Sequence, residues 1–355
     1  MVTDTLLDPV LEPRITEIPD VSEMALSLFK RSLVWDNILP WVPWHGGNYQ
    51  ANVDLIDELL PRYLRVGVNH ISLTVGLLGD VDATIRHIAR VRQQIHERAD
   101  WLVLADSVNA IRKAKANNHL AVSFNFQDSL PFSNSVDMIQ VYYDLGVRQV
   151  GLAYNQRNLV GDGCAEKNEA GLSNFGREVI KKMHRVGMLV DGSHVGYRTT
   201  MEAMEVGDGP FIFSHSNPFA IRPHYRNIKD EQIKACAATG GLIGINGVGA
   251  FVGDVNAPTE DIFRCIDYTV ELVGPEYVGL GFDYVHDLDL AINAPRMAPL
   301  AWPAYKGEQM VRHNYAGPEQ MVALTQMMLD QGYPDDAIVG ILGENLAKLC
   351  ERVWK

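Results

Sequence analysis

The 355-residue chain is 47% apolar and 21% charged, the balance of an ordinary globular protein long enough for one large α/β barrel or two smaller domains. Its formal charge of −13, with no Lys/Arg cluster, excludes the basic face that a nucleic-acid partner requires. No apolar run reaches membrane-spanning length, and the first twenty residues show no basic region followed by an apolar one, so a soluble, cytoplasmic protein without a signal peptide is expected. The four cysteines (Cys164, Cys236, Cys265, Cys350) lie far apart with no CxxC spacing, which predicts reduced thiols rather than a disulfide frame.

Residues 1–30 read as a polar N-terminal arm followed by a short helix near 24–30. A first strand, 32–35, ends at Asp36, and a Trp-, Pro- and Gly-rich loop with His45 follows. A helix over 54–64 precedes a second strand, 70–74. Residues 83–116 carry one long helical periodicity with charges on one face. A third strand, 119–126, leads into Gln127, and a helix over 136–145 closes at Gly146, as a C-cap glycine does. The fourth strand, 148–153, ends at Tyr154 and Asn155. A Gly-rich loop containing Cys164 then precedes a helix over 173–186, with Ser173 or Asn174 as its cap. The fifth strand (188–190), sixth (210–213), seventh (241–246) and eighth (277–281) follow, separated by helices over 197–206, 230–239 and 260–273. Helices over 318–331 and 335–353 close the chain.

Eight short strands separated by helical segments predict a single (β/α)8 barrel over 1–355 with C-terminal helices. No GxGxxG follows the first strand and no GxxxxGK[ST] occurs, which argues against a doubly wound nucleotide-binding sheet. In a parallel barrel the ends of the strands converge at one mouth, so Asp36, Gln127, Tyr154, Asn155, His194, His215, Asn246 and Asp283 are expected to face one another. The stretch 187–227 organises this mouth. His194 and His215 each follow a strand inside a Ser-His pair, and two imidazoles from successive strands form half of a metal site. Asp283 ends the last strand as an acid/base group or a metal contact. Arg226 lies beyond His215, placed to grip a carboxylate by paired hydrogen bonds, and the Tyr154 hydroxyl is a donor for a developing oxyanion.

The segments DLGVR (144–148), GLSNFGREV (171–179), VDGSHVG (190–196), FSHSNPFAI (213–221), HYRN (224–227), GLIGIN (241–246) and YVGLGFD (277–283) resemble the renal (membrane) dipeptidase family of the amidohydrolase superfamily. The likeness runs from about Asp36 to the C-terminus and implies a (β/α)8 barrel that hydrolyses dipeptides. Residue by residue, it implies that His194 and His215 are the two histidine ligands of one zinc, Arg226 binds the substrate carboxylate, and Asp283 shuttles protons. The family's other zinc is held by a His and an Asp in an Asp-Gly-His-Asn-Asp motif. Those positions fall here on Ile38 and Pro40, its bridging Glu falls on Gln127, and its substrate-contacting histidine falls on Tyr154.

Two close zinc ions need anionic ligands to offset their repulsion, so this set predicts at most one zinc, held by His194 and His215 with Gln127 or Asp283 and water. His45 and Asp36 are the residues available to replace a lost ligand. The expected function is a metal-dependent, dipeptidase-like hydrolase acting on a small carboxylate-bearing substrate, with Asp283 and Tyr154 in catalysis and Arg226, Tyr154 and Asn246 in substrate binding. Two alternatives stay open. One is the same barrel performing non-peptide hydrolysis, a lyase or an isomerase step on a small metabolite; the other is a metal-free, non-catalytic binding protein. A homo-oligomer is the expected assembly.

Overall fold

The computed structural model describes residues 11–41, 56–286, 302–304 and 312–355. Its strands are short apolar runs with no exposed position, as a parallel sheet covered by helices demands. They are β1 (Trp35–Pro40), β2 (His70–Gly76), β3 (Leu102–Leu104), β4 (Leu120–Phe126), β5 (Val147–Gly151), β6 (Leu189–Asp191), β7 (Phe211–Phe213), β8 (Leu242–Ile245) and β9 (Val278–Leu280). Eight of them pair in parallel in the order β1-β2-β4-β5-β6-β7-β8-β9. Helices lie between most of them, and the result is the expected (β/α)8 barrel, nearly closed, with helices after β9. Helix starts are set by local chemistry. Ser22, Asp80, Ser107 and Ser173 each accept a backbone N–H three residues on, which fixes where each helix begins.

Three expectations are corrected. The periodic stretch 83–116 is not one helix. It is a helix over Val81–His96, the strand β3, and a helix over Val108–Ala116. The Leu102-Val103-Leu104 run pairs with the start of β4, which β5 joins only from Phe124 onward, so a free strand edge there overrides the helical pattern. The first strand does not stop at Asp36; it continues to Pro40, with a register break between Asp36 and Leu39. The last helix breaks at Gly340–Glu344, between helices Asp335–Val339 and Asn345–Val353. There the chain passes directly over β1: a Cβ on Gly343 would lie 2.1 Å from the Leu33 carbonyl oxygen.

β1 and β9 lie side by side at the seam of the barrel, but no backbone ladder joins them among the described residues. The Asp36 carboxylate takes that role, accepting the Phe282 N–H at 2.9 Å. A side chain therefore substitutes for a ladder bond where the sheet closes. On β2 and β4 a buried polar ladder climbs toward the mouth: Asn125 donates to Ser72 (2.8 Å), Thr74 donates to Asn125 (2.9 Å), and Gln127 donates to Thr74 (3.2 Å).

Candidate active site

The ends of β6 and β7 bring His194 and His215 together, both buried, with their Nε2 atoms 2.9 Å apart. The partners of the other ring nitrogens fix what faces what. His215 Nδ1 lies 2.6 Å from Ser214 Oγ, and that hydroxyl gives its own proton to Asp191 Oδ2, so it accepts from Nδ1–H. His194 Nδ1 lies 2.8 Å from the Asn155 side-chain oxygen, which is an acceptor and also takes the Cys164 thiol proton at 3.3 Å. Each ring is thus held at Nδ1 by a side-chain partner, and the two Nε2 atoms stand within hydrogen-bond distance of each other. Burial first, and then the nearby Arg226 charge, hold both imidazoles well below the usual histidine range, so both are neutral. The pair offers two imidazole nitrogens, donors of the kind that ligate metal ions, each ring oriented by a contact at its second nitrogen. Among the described residues no cluster of three or more His, Cys, Asp or Glu is placed to hold one.

The loops that carry these side chains are held in unusual backbone conformations. His194 (φ 69°), Asn155 (φ 58°) and Asp283 (φ 58°) are non-glycine residues in the left-handed region, a strain that accumulates at functional sites. A zipper keeps two of them in place: Cys164 N–H donates to the His194 carbonyl at 2.8 Å and Ala165 N–H to the Asn155 carbonyl at 2.8 Å. Gly163 makes this approach possible, because a Cβ there would stand 2.1 Å from the Asn155 carbonyl carbon.

Across the mouth, Arg226 is buried, donates from Nη2 to the His215 carbonyl at 3.2 Å, and stacks over Phe251. Its Nε has no hydrogen-bond partner among the described residues. Asp283 is partly exposed and accepts from Asn246 Nδ2 at 3.3 Å. Desolvation pushes its carboxyl up to about 7, against the opposing pull of Arg226 and Asn246. Asn246 is itself clamped by Asn217, which accepts its N–H at 3.0 Å and donates to its carbonyl at 3.1 Å. Burial likewise lifts Asp36 to about 7, and its Oδ2 is unpartnered among the described residues.

Of the residues singled out from sequence, the structure gathers His194, His215 and Tyr154 in contact: the Tyr154 ring stacks on His194 with centroids 4.1 Å apart. Arg226 touches His215, and Asn246 touches Asp283. Gln127 ends the polar ladder of β2 and β4, with its amide nitrogen engaged by Thr74. Asp36 faces the β9 seam. His45 lies outside the described residues.

Sequence reading missed Ser214 as the partner of the His215 ring and Asp191 as the partner of Ser214, although both sit inside the Ser-His segments that drew attention. It also missed Trp302, whose ring meets Tyr154 (5.8 Å) and His194 (5.9 Å) edge-on. Nothing local marks Trp302, which lies far along the chain from either residue. Asp128, buried and lifted by desolvation to about 6, accepts the Tyr154 N–H at 2.9 Å and thereby sets where that residue sits.

The chain is similar to several known proteins. The sequence profile of the membrane dipeptidase family (peptidase family M19) matches residues 51–294. An uncharacterised dipeptidase of Schizosaccharomyces pombe is 32% identical over 214 residues, 58% of this chain and 50% of that relative, so the match spans half of that protein's length. Among solved structures, an amidohydrolase from Pseudomonas aeruginosa superposes with a TM-score of 0.80 at 27% identity, covering 93% of this chain and 99% of that one. A metallo peptidase from Rhodobacter sphaeroides, bound to a phosphinate mimic of the dipeptide L-Ala-D-Ala, shares the fold with a TM-score of 0.72 at 16% identity, over 90% of this chain and 99% of that one. Among the described residues no helix is long and apolar enough to cross a membrane.

Proposed function

The chain belongs to the membrane dipeptidase family, peptidase family M19, and from that premise we propose that it is a dipeptidase-like hydrolase cleaving an amide bond in a small, carboxylate-bearing substrate. The observation that carries this reading is the buried His194–His215 pair, with Nε2 atoms 2.9 Å apart, beside a buried guanidinium whose Nε has no partner among the described residues. His194 and His215, with Gln127 as a further donor, would hold one metal ion, zinc being the first to test. A metal there supplies Lewis-acid polarisation of the scissile carbonyl or of the attacking water.

The chain's own residues do the rest. Arg226 binds the substrate carboxylate through Nε and the free edge of its guanidinium, which positions the scissile bond over the histidines. Asp283, with a carboxyl near 7, accepts a proton from the attacking water as the C–O bond forms. It returns that proton to the leaving nitrogen as the C–N bond breaks. Asn246 orients the carboxylate for both steps through its 3.3 Å hydrogen bond and lines the substrate side of the mouth. Burial holds the Tyr154 phenol well above its usual range, so it stays protonated as a donor to the oxyanion. The four cysteines are free thiols, which supports a reducing, cytoplasmic setting.

A second reading keeps the barrel and changes the reaction to non-peptide hydrolysis, elimination or isomerisation of a small metabolite. The observation that favours it is Gln127, a neutral side chain already engaged by Thr74. The first test is elemental analysis of protein purified without added metal, beside a His194→Ala/His215→Ala variant, followed by dipeptide and metabolite panels. One equivalent of metal, lost in the variant, with dipeptide turnover supports the first reading. Metabolite turnover without dipeptide turnover selects the second. No metal, even after zinc loading, overturns the metal assignment and leaves a binding role.

A further inference from the structure

Two arginines converge on one phenol beside Asp283. The hydroxyl of Tyr284, the next residue in the chain, accepts from Arg62 Nη1 at 2.7 Å and from Arg14 Nη1 at 3.0 Å. Arg62 has its counter-ion: Nε and Nη2 donate to the two carboxylate oxygens of Glu319, both at 2.7 Å. Arg14 differs. Its Nη1 also donates to the His286 carbonyl at 3.1 Å, but its Nε and Nη2 are buried without a hydrogen-bond partner. No Asp or Glu forms an ion pair with it among the described residues. The guanidinium rests against two aromatic rings, 5.1 Å from the centroid of Tyr284 and 5.7 Å from that of Tyr315. Such contacts attract the charge but leave the in-plane N–H groups unanswered, and a desolvated N–H without an acceptor costs stability.

The chain on either side of Arg14 is pinned. Glu12 donates its N–H to Asn256 Oδ1 at 2.9 Å and accepts at its carbonyl from Asn314 Nδ2 at 2.9 Å, and the Ile15 carbonyl accepts from Arg62 Nη2 at 3.3 Å. The N-terminal arm therefore fixes the guanidinium before any ligand arrives. Tyr315 links it to the mouth: burial and then the Asp283 charge raise its phenol, and the Arg14 charge opposes them. Asp283 in turn lies in the field of Arg226. The mouth thus carries two guanidiniums with N–H groups that have no acceptor among the described residues, Nε on Arg226 and Nε with Nη2 on Arg14.

We propose that Arg14 is a specificity residue that binds a second carboxylate of the substrate, so that the preferred substrate is an acidic dipeptide, with a Glu or Asp side chain besides the carboxylate held by Arg226. The inference rests on the dipeptidase-like reading given above and deepens it by naming the substrate class. Nε and Nη2 are neighbours on one edge of the guanidinium, the edge that meets both oxygens of a carboxylate. Glu319 occupies that same edge of Arg62 and shows the pairing that Arg14 lacks.

The test compares each acidic dipeptide with its neutral isostere, Glu-Ala with Gln-Ala and Ala-Glu with Ala-Gln, in wild type, Arg14→Gln and Arg14→Lys. The readout is the ratio of kcat/KM within a pair. A defect of folding or of the arm lowers both members together and leaves the ratio standing, so the ratio isolates the anion contact. In wild type the acidic member of at least one pair is expected to lead by about tenfold or more, and Arg14→Gln should abolish that lead. Arg14→Lys, which keeps the charge and loses the planar fork, should fall between them. Equal rates within both pairs in wild type, or a lead that survives in Arg14→Gln, overturns the inference while leaving the hydrolase reading intact. If wild type turns over none of the four peptides, the hydrolase reading falls, and calorimetric binding of the same peptides decides the anion site by itself. Tighter binding of an acidic member, lost in Arg14→Gln, supports it; equal or absent binding overturns it.

Discussion

Around β6 and β7, the second ring nitrogen of each site histidine has a fixed partner, and that partner is itself held by Asp191 or by the 163–165 zipper. Around β1, on the far side of the barrel mouth, Asp36 Oδ2 and the Asn37 side-chain nitrogen have no partner among the described residues, and Ile38 and Leu39 are fully buried hydrophobes. One side is preorganised to hold charge, and the other is built to pack and to close the sheet. The contrast separates residues whose loss should remove chemistry from residues whose loss should remove stability, although both sets sit at the same mouth.

The largest effect is expected on the chemical side. Asp283→Asn keeps the shape and the contact to Asn246 but cannot carry a proton, so kcat should fall about 10²- to 10⁴-fold with metal content unchanged, as steady-state kinetics and elemental analysis read together. Equal loss of metal and activity would instead make Asp283 a ligand. On the packing side, Ile38→Ala should lower unfolding stability by about 2–5 kcal/mol in urea titration and leave zinc affinity unaltered. A weakened metal in that variant breaks the comparison, because β1 would then belong to the site.

Arg226→Lys keeps the charge but loses Nε and the planar fork, so KM for a carboxylate-bearing substrate should rise roughly tenfold with kcat little changed. The amide analogue of that substrate should show no such difference between the two proteins.

The last effect is a slope. The Asp36 carboxyl is raised from 3.8 to about 7 in the fold, so between those values the native state binds more protons than the unfolded state, and stability falls as pH rises. Asp36→Asn retains an oxygen for the Phe282 N–H and removes that dependence. Its stability relative to wild type should therefore climb by at most about 1.4 kcal/mol per pH unit between roughly pH 4 and pH 7, then level off. A gap that stays constant with pH would show that Asp36 is ionised throughout and paired within the closed barrel.

Much of this architecture was legible from local pattern. Eight apolar runs with small polar clusters after them gave the barrel, and the Ser-His repeats gave the two imidazoles that meet at 2.9 Å. Ser173 was readable as a cap because a Ser before an amphipathic run satisfies a helix-end N–H by itself. The interruption of 83–116 was not readable. Leu102–Leu104 becomes a strand only because β4 offers it an edge, and that edge exists only in the assembled sheet.

The sequence by itself determined which residues can do chemistry, since side-chain type and position after a strand are local properties. Tertiary structure alone decided how they are joined. Asp191 and Ser214 are 23 residues apart yet bonded, Asp36 closes on Phe282 across 246 residues, and Trp302 lies against Tyr154 from a distant loop. Hydrogen bonds and ring contacts of that range depend on the register and closure of the barrel, and no local periodicity carries that information.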